Sequence, residues 1–224
     1  MLVDDIGELV GHVLVGDLRP ELVGPDDRPV LDQVDDAPEL GWTAEFDLED
    51  RFQVRESGAG VHMRIRDFTY GSCAGTLESW INDGSYNEDR IQWIPTIMTR
   101  RVSEEGELES TFVALMEPWE GEPFVRDVQR RTVVSEEYEV LEDGPVAMEV
   151  TLADGRHDLH FVADRRPGPF QVTDWGLTTD CDACIIRLDA TGRPSDLVLC
   201  NGGGLSLGEK SWDGAEGVVH IENG

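Results

Sequence analysis

From Trp42 onward, apolar and polar residues alternate with a period of two. Trp42, Ala44, Phe46 and Leu48 alternate with Thr43, Glu45 and Asp47. Val61, Met63 and Ile65 alternate with His62, Arg64 and Arg66, and Val146, Met148, Val150 and Leu152 with Ala147, Glu149 and Thr151. That period places apolar side chains on one face of a sheet and polar ones on the other. The run Thr111–Met116 is apolar on both parities, which predicts a central strand covered on both faces. Phe112, Val113, Ala114 and Leu115 are therefore predicted among the most buried residues, with Val150 and Leu152. Further strands are predicted at 51–55, 76–81, 91–102, 124–134, 138–141, 157–163, 185–189, 196–200 and 217–221. Turn dipeptides separate them at short intervals: Asp83-Gly84, Asp143-Gly144, Asp154-Gly155, Thr191-Gly192, Asn201-Gly202 and Asp213-Gly214. Asp-Gly and Asn-Gly supply the positive φ angles that tight hairpins require.

The first 35 or so residues behave differently. Ile6, Leu9, Val10, Val13 and Leu14 recur at helical spacing, but Gly7, Gly11 and Gly16 weaken the pattern, so at most a short N-terminal helix is predicted. The Pro- and Asp-rich stretch from Pro25 to Pro38 reads as a loop or linker. The expected organisation is an N-terminal segment over 1–38 and one all-β domain over 39–224. Many short strands with hairpin signals and no long helix predict an antiparallel β-sandwich, two-layered and supersandwich-like.

Charge narrows the function classes. The 224 residues carry 47 acidic and 18 basic side chains, a formal net charge of −29, and Lys210 is the single lysine. Phosphate contacts need clustered Lys and Arg, so no nucleic-acid partner is expected. An anionic membrane surface is disfavoured for the same reason. No apolar run approaches the roughly 18 residues that span a bilayer. The Met1–Val10 segment has an acidic flank where a signal peptide has a basic one, so a cytoplasmic chain is expected. Acidic residues are spread along the whole chain, as on the salt-adapted surface of a halophile's protein.

Few motifs carry chemistry. Cys181-Asp182-Ala183-Cys184 has CxxC spacing, with Cys73 and Cys200 as further thiols. A structural zinc needs four soft ligands. One CxxC running straight into Ile185-Ile186 reads instead as buried cysteines, so neither metal nor cofactor is expected. His157 and His160 are three apart on a predicted strand and face opposite sides. Arginine pairs occur at Arg100-Arg101, Arg130-Arg131 and Arg165-Arg166. On a strand each pair sends one guanidinium to each face. The fork matches a carboxylate or sulfate of an acidic polymer, or one of the chain's own surplus carboxylates. Trp80, Tyr86, Trp93, Trp119 and Trp175 are either sugar-stacking platforms or core.

Three stretches resemble the C-terminal half of the heparinase II/III-like polysaccharide lyase family. They are Trp93-Ile-Pro-Thr-Ile-Met-Thr-Arg-Arg101, Ser110-Thr-Phe-Val-Ala-Leu-Met-Glu-Pro-Trp119 with Gly121-Glu-Pro-Phe-Val125, and Val150-Thr-Leu-Ala-Asp-Gly-Arg-His-Asp-Leu159. The later Leu197–Leu205 stretch suits that family's closing strands. The resemblance implies antiparallel β-sheets preceded by an α/α-toroid, and β-elimination on uronate-containing polysaccharides. No stretch reads as the toroid's long amphipathic helices, and none of the motifs that carry the family's catalytic residues matches here. No catalytic residue is therefore carried over. The local candidates are His62, Tyr70 and Tyr86 for acid–base work, and Arg100, Arg101, Arg130, Arg131, Trp93 and Trp119 for saccharide contacts. The expected partner is an acidic polysaccharide or an upstream toroid domain. Three readings remain open: a structural or carbohydrate-binding lyase module, an active lyase, and a non-carbohydrate interaction domain.

At −29, self-repulsion opposes the compact state in dilute buffer. In molar salt the Debye length falls to about 3 Å and screens most of it. The melting temperature is expected to rise from dilute buffer to molar KCl. A flat or falling trend contradicts the salt-adaptation reading.

Overall fold

The computed structural model describes residues 31–48, 60–82, 91–103, 108–137, 139–140, 143–163 and 167–222, with backbone alone at 31–33, 79–82 and 91–94. Sixteen antiparallel strands fill most of these residues, and no α-helix occurs among them. The predicted N-terminal helix and the strand at 51–55 lie outside the described residues. The described residues fall into two compact units, one up to Leu48 and from Met63 to Met116, the other Gly60–His62 and from Glu117 onward.

The first unit holds the sheet β1 (Leu31–Asp35), β4 (Ser72–Asn82) and β5 (Ile91–Arg101), in the order β1-β4-β5. It also holds the greater part of a second sheet, β2 (Trp42–Leu48), β3 (Val61–Asp67) and β6 (Ala114–Glu120), in the order β2-β3-β6. The turn after β3 is fixed by a buried carboxylate. Asp67 Oδ1 accepts from the Thr69 amide at 3.0 Å, and Oδ2 accepts from the hydroxyls of Thr69 at 3.3 Å and Thr99 at 3.2 Å. Thr69 Oγ1 in turn accepts from the Val113 amide at 3.0 Å. A buried charge is tolerated when its lone pairs are this fully used.

The second unit is a β-sandwich. One sheet is β7 (Val125–Arg131), β8 (Val146–Leu152), β9 (His157–Val162), β12 (Ala183–Leu188), β13 (Pro194–Cys200) and β16 (Val218–Glu222), in the order β16-β13-β12-β9-β8-β7. The other is β10 (Phe170–Val172), β11 (Leu177–Thr179), β14 (Gly204–Leu207) and β15 (Lys210–Asp213), in the order β10-β11-β14-β15. Strand register sets the core. Ala147 pairs with Phe161, Phe161 with Cys184, and Cys184 with Leu199. One row on, Leu159 pairs with Ile186 and Ile186 with Leu197. These side chains share one face and pack against Phe170, Val172, Leu177 and Leu205 of the smaller sheet. Two glycines show how closely the backbones approach beside this core. A Cβ on Gly202 (φ +107°) would lie 2.7 Å from the Cys181 Cα, and one on Gly204 (φ +158°) 2.6 Å from the Trp212 carbonyl oxygen.

Several expectations need correction. Phe112 is 57% exposed and Met116 67% exposed, and neither Val113, Ala114 nor Leu115 is fully buried. The strand starts at Ala114 and forms the edge of its sheet, with one face open to solvent. The inward parity runs through Leu115 to Glu117, which is buried and whose Oε1 accepts from the Val125 amide at 2.7 Å. Val150 and Leu152 are buried, as predicted. Leu31–Asp35 is a strand paired with β4 where Pro and Asp richness predicts a loop. Glu139 and Val140 are not in a strand, and Tyr138 and Leu141 lie outside the described residues. The short strands β10, β11, β14 and β15 were not predicted.

Ile186 is fully buried at the centre of the inner face, while its neighbour Ile185 is 42% exposed on the other. Ile186→Ala is expected to destabilise the fold by about 2–5 kcal/mol, and Ile185→Ala by less than about 1.5 kcal/mol. Denaturant unfolding of the pair checks this; equal losses contradict the assigned inner face.

Candidate functional site

The inner face of the larger sheet changes character along its strands. Ala147, at its apolar end, is fully buried. Two residues on, β8 places Glu149 on the same face, and two further on Thr151, which pairs with His157 of β9. His157 is paired in turn with Leu188 of β12. Opposite these residues lie a 3-10 turn, Thr173–Trp175, and the β14–β15 turn at Gly208–Glu209, linked by the Gly208 amide donating to the Gly176 carbonyl at 3.1 Å. Between them opens a cavity of about 680 Å³, lined among others by Arg131, Glu149, His157, Trp175, Arg193 and Lys210.

Glu149 organises this cleft. Its Oε2 accepts from Arg131 Nε at 2.9 Å, Arg131 Nη2 at 2.7 Å and Trp175 Nε1 at 3.1 Å. Its Oε1 faces His157 Nδ1 at 3.1 Å. Arg131 Nη1 also reaches Asp174 Oδ2 at 3.3 Å. Burial alone would raise the Glu149 carboxyl, whose side chain is only 16% exposed. The hydrogen bonds from Arg131, Trp175 and His157, with the Arg131 charge, outweigh it and hold the group below the usual carboxylate range. An ionised carboxylate only accepts, so Nδ1 of His157 carries the proton of that contact. In the neutral ring Nε2 is then the lone-pair nitrogen, and no described residue hydrogen-bonds to it.

Two turns place the cations of the rim. Between β12 and β13, Asp189 Oδ1 accepts from the amides of Thr191 at 2.8 Å and Arg193 at 3.0 Å and from the Thr191 hydroxyl at 2.7 Å. Gly192 turns the chain at φ +80°. This Asx-type turn fixes the backbone that carries Arg193. Lys210 opens β15 opposite Leu207. Neither cation has an ion pair with a described residue. The lining therefore balances three basic against three acidic side chains, in a chain of net charge −29, and includes its single lysine.

The candidates named from the sequence fall in both units. Arg131 lies in the cleft, and Arg130 projects from the other face of β7. His62 and Trp119 come together: their rings stack with centroids 5.2 Å apart and 21° between planes. Tyr70 sits half-buried at the turn after β3, in the first unit. Arg100 and Arg101 end β5 in that unit, Arg100 exposed and Arg101 donating to the Glu109 carbonyl at 3.3 Å. Trp93 stands across from Trp80 in the β4–β5 register, and its side chain, like all of Tyr86, Arg165 and Arg166, lies outside the described residues. Cys181 and Cys184 are buried in the sandwich core, and burial pushes the Cys184 thiol up to about 12. Among the described residues, no three His, Cys, Asp or Glu side chains gather as a metal site would require.

Glu149 and His157 were missed as a pair. Counting outward from the Asp154-Gly155 turn pairs Thr151 with His157 and Glu149 with Leu159, so the signal was present in the hairpin register.

Replacing Glu149 with Gln keeps one acceptor oxygen but removes the charge that pairs with Arg131 and puts an amide donor where the second oxygen was. Glu149→Gln is expected to lower stability near neutral pH by about 1–2 kcal/mol. The depressed carboxyl adds stability above its unfolded value of 4.5, and that stability is lost as pH falls through the lower folded value. Acid unfolding is therefore expected to be less steep in Glu149→Gln than in the wild type, and identical slopes contradict the hub.

Comparison with protein-family models, with curated proteins and with solved structures gives no match.

Proposed function

We propose that the chain is the C-terminal β-sheet module of a heparinase II/III-like polysaccharide lyase, and that it binds acidic saccharide in the Trp175 cleft without cleaving it. One observation carries the reading. In a chain with 47 acidic residues, the single lysine and two arginines line one cavity together with an indole, and the three carboxylates there only balance them. Trp175 offers an apolar ring for a pyranose face. Arg193 and Lys210 carry no ion pair with a described residue and supply charge-assisted donors to a carboxylate or sulfate. The cavity has the size of ordinary small-molecule sites. Three motif stretches at 93–101, 110–125 and 150–159 support the lyase part of the proposal.

The non-catalytic part rests on the sequence, where none of the motifs that carry the family's catalytic residues matches. A β-elimination site needs a base, a proton donor and a carboxylate neutraliser within hydrogen-bond reach of one another. Salt adaptation belongs to the same proposal, since molar salt lets so acidic a surface approach a polyuronate.

Lys210 provides the test, because amine-reactive labelling of the side chains reports on this one residue. An oligogalacturonate is expected to protect Lys210 from acetylation. The double variant Arg193→Ala/Lys210→Ala is expected to bind it about tenfold more weakly, a difference of about 1.4 kcal/mol. Unprotected Lys210 and no binding favour a purely structural module. Formation of unsaturated uronate products, abolished on mutating His62 or Tyr70, establishes the active-lyase alternative instead.

A further inference from the structure

We propose that the cleft takes up an anionic saccharide together with one proton, and that His157 is the group that receives it. The proposal rests on the saccharide-binding reading above and says how that site chooses its ligand. His157 lines the cavity with its Nδ1 between Glu149 Oε1 at 3.1 Å and Thr151 Oγ1 at 3.3 Å. In the neutral ring Nε2 keeps its lone pair, and about a third of the side chain is accessible. A lone pair accepts a hydroxyl proton from a neutral sugar and repels a carboxylate oxygen. Once protonated, the same ring donates from both nitrogens, to Glu149 on one side and to the ligand's anion on the other.

The charged groups around it make that second state tenable. Glu149 of β8 and Asp174 of the 3-10 turn supply negative charge on one side. Arg131 of β7 is already held by both of them. Arg193 from the β12–β13 turn, with Glu209 and Lys210 at the β14–β15 turn, stands around the rim, and β12 contributes only Leu188. The imidazolium therefore keeps an ionised partner, Glu149, while it meets an anion. Binding the anion favours the proton, and by linkage the proton favours the anion. A neutral saccharide gains nothing from protonation. His157 thus sets whether a carboxylate or a hydroxyl is accepted.

Calorimetric titration with an oligogalacturonate and with its carboxyl-reduced counterpart tests this, in buffers of different ionisation heat. The acidic oligomer is expected to bind about tenfold tighter at about pH 5.5 than at about pH 8, taking up close to one proton. Its carboxyls are ionised at both values. The reduced oligomer is expected to show neither effect. His157→Gln keeps an amide donor for Glu149, so it should still bind while losing both the pH dependence and the proton uptake. Following the His157 ring resonances, with and without the acidic oligomer, gives a second readout: its titration should move upward on binding. Binding with a flat pH profile, or the same slope in His157→Gln, overturns the proton coupling and leaves the binding reading standing. No binding of either oligomer at either pH overturns both.

Discussion

The second unit depends at one end on a single carboxylate. Glu149 accepts from a guanidinium on β7, an indole from the 3-10 turn and an imidazole on β9. Those donors belong to three segments, the two strands that flank β8 and the turn that follows β10. An amide or a hydroxyl in its place could not accept all of them. A half-buried charge is costly unless its lone pairs are used, and here they are, which is why the inner face can end in a polar cluster. Three groups of the cleft's lining, Arg131, Trp175 and His157, share that acceptor.

The same face explains why the cleft lies where it does. Along β8 and β9 the inward positions run Ala147 and Phe161, then Glu149 and Leu159, then Thr151 and His157. The apolar rows are buried against the smaller sheet. The polar row meets only two turns, which cannot fill the gap. A cavity therefore opens at the transition from apolar to polar packing. Those two turns are tied together by the hydrogen bond from the Gly208 amide to the Gly176 carbonyl, and the β12–β13 turn at the rim is fixed separately by Asp189.

Much of this architecture could be read from the chain. The 146–152 alternation gives β8 to the residue, and Asp154-Gly155 gives the hairpin and its register. Two kinds of information were out of reach. Periodicity tells apolar from polar but not which face is covered, so Ala147 and Glu149 read as one outward row although they point into the sandwich. At 111–116, apolar character on both parities implied two covered faces, yet β6 is an edge strand and Phe112 is exposed. The strands of the smaller sheet are three or four residues long, too short for a period of two to show. The site was visible only in parts. Arg131 and Trp175 were named for their chemistry, but their meeting with Glu149 and His157 depends on β-pairing and on the 3-10 turn that aims the indole inward.

The central claim is that one fixed carboxylate holds a Trp175-lined cleft ready for an acidic saccharide. The most direct measurement is the indole N–H resonance of Trp175, assigned among the six tryptophans by mutation. With Nε1 bonded to Glu149, that proton is expected to exchange slowly with solvent and to shift saturably as an oligogalacturonate is added. Rapid exchange, or an unmoved signal while resonances elsewhere respond to the ligand, would contradict the account.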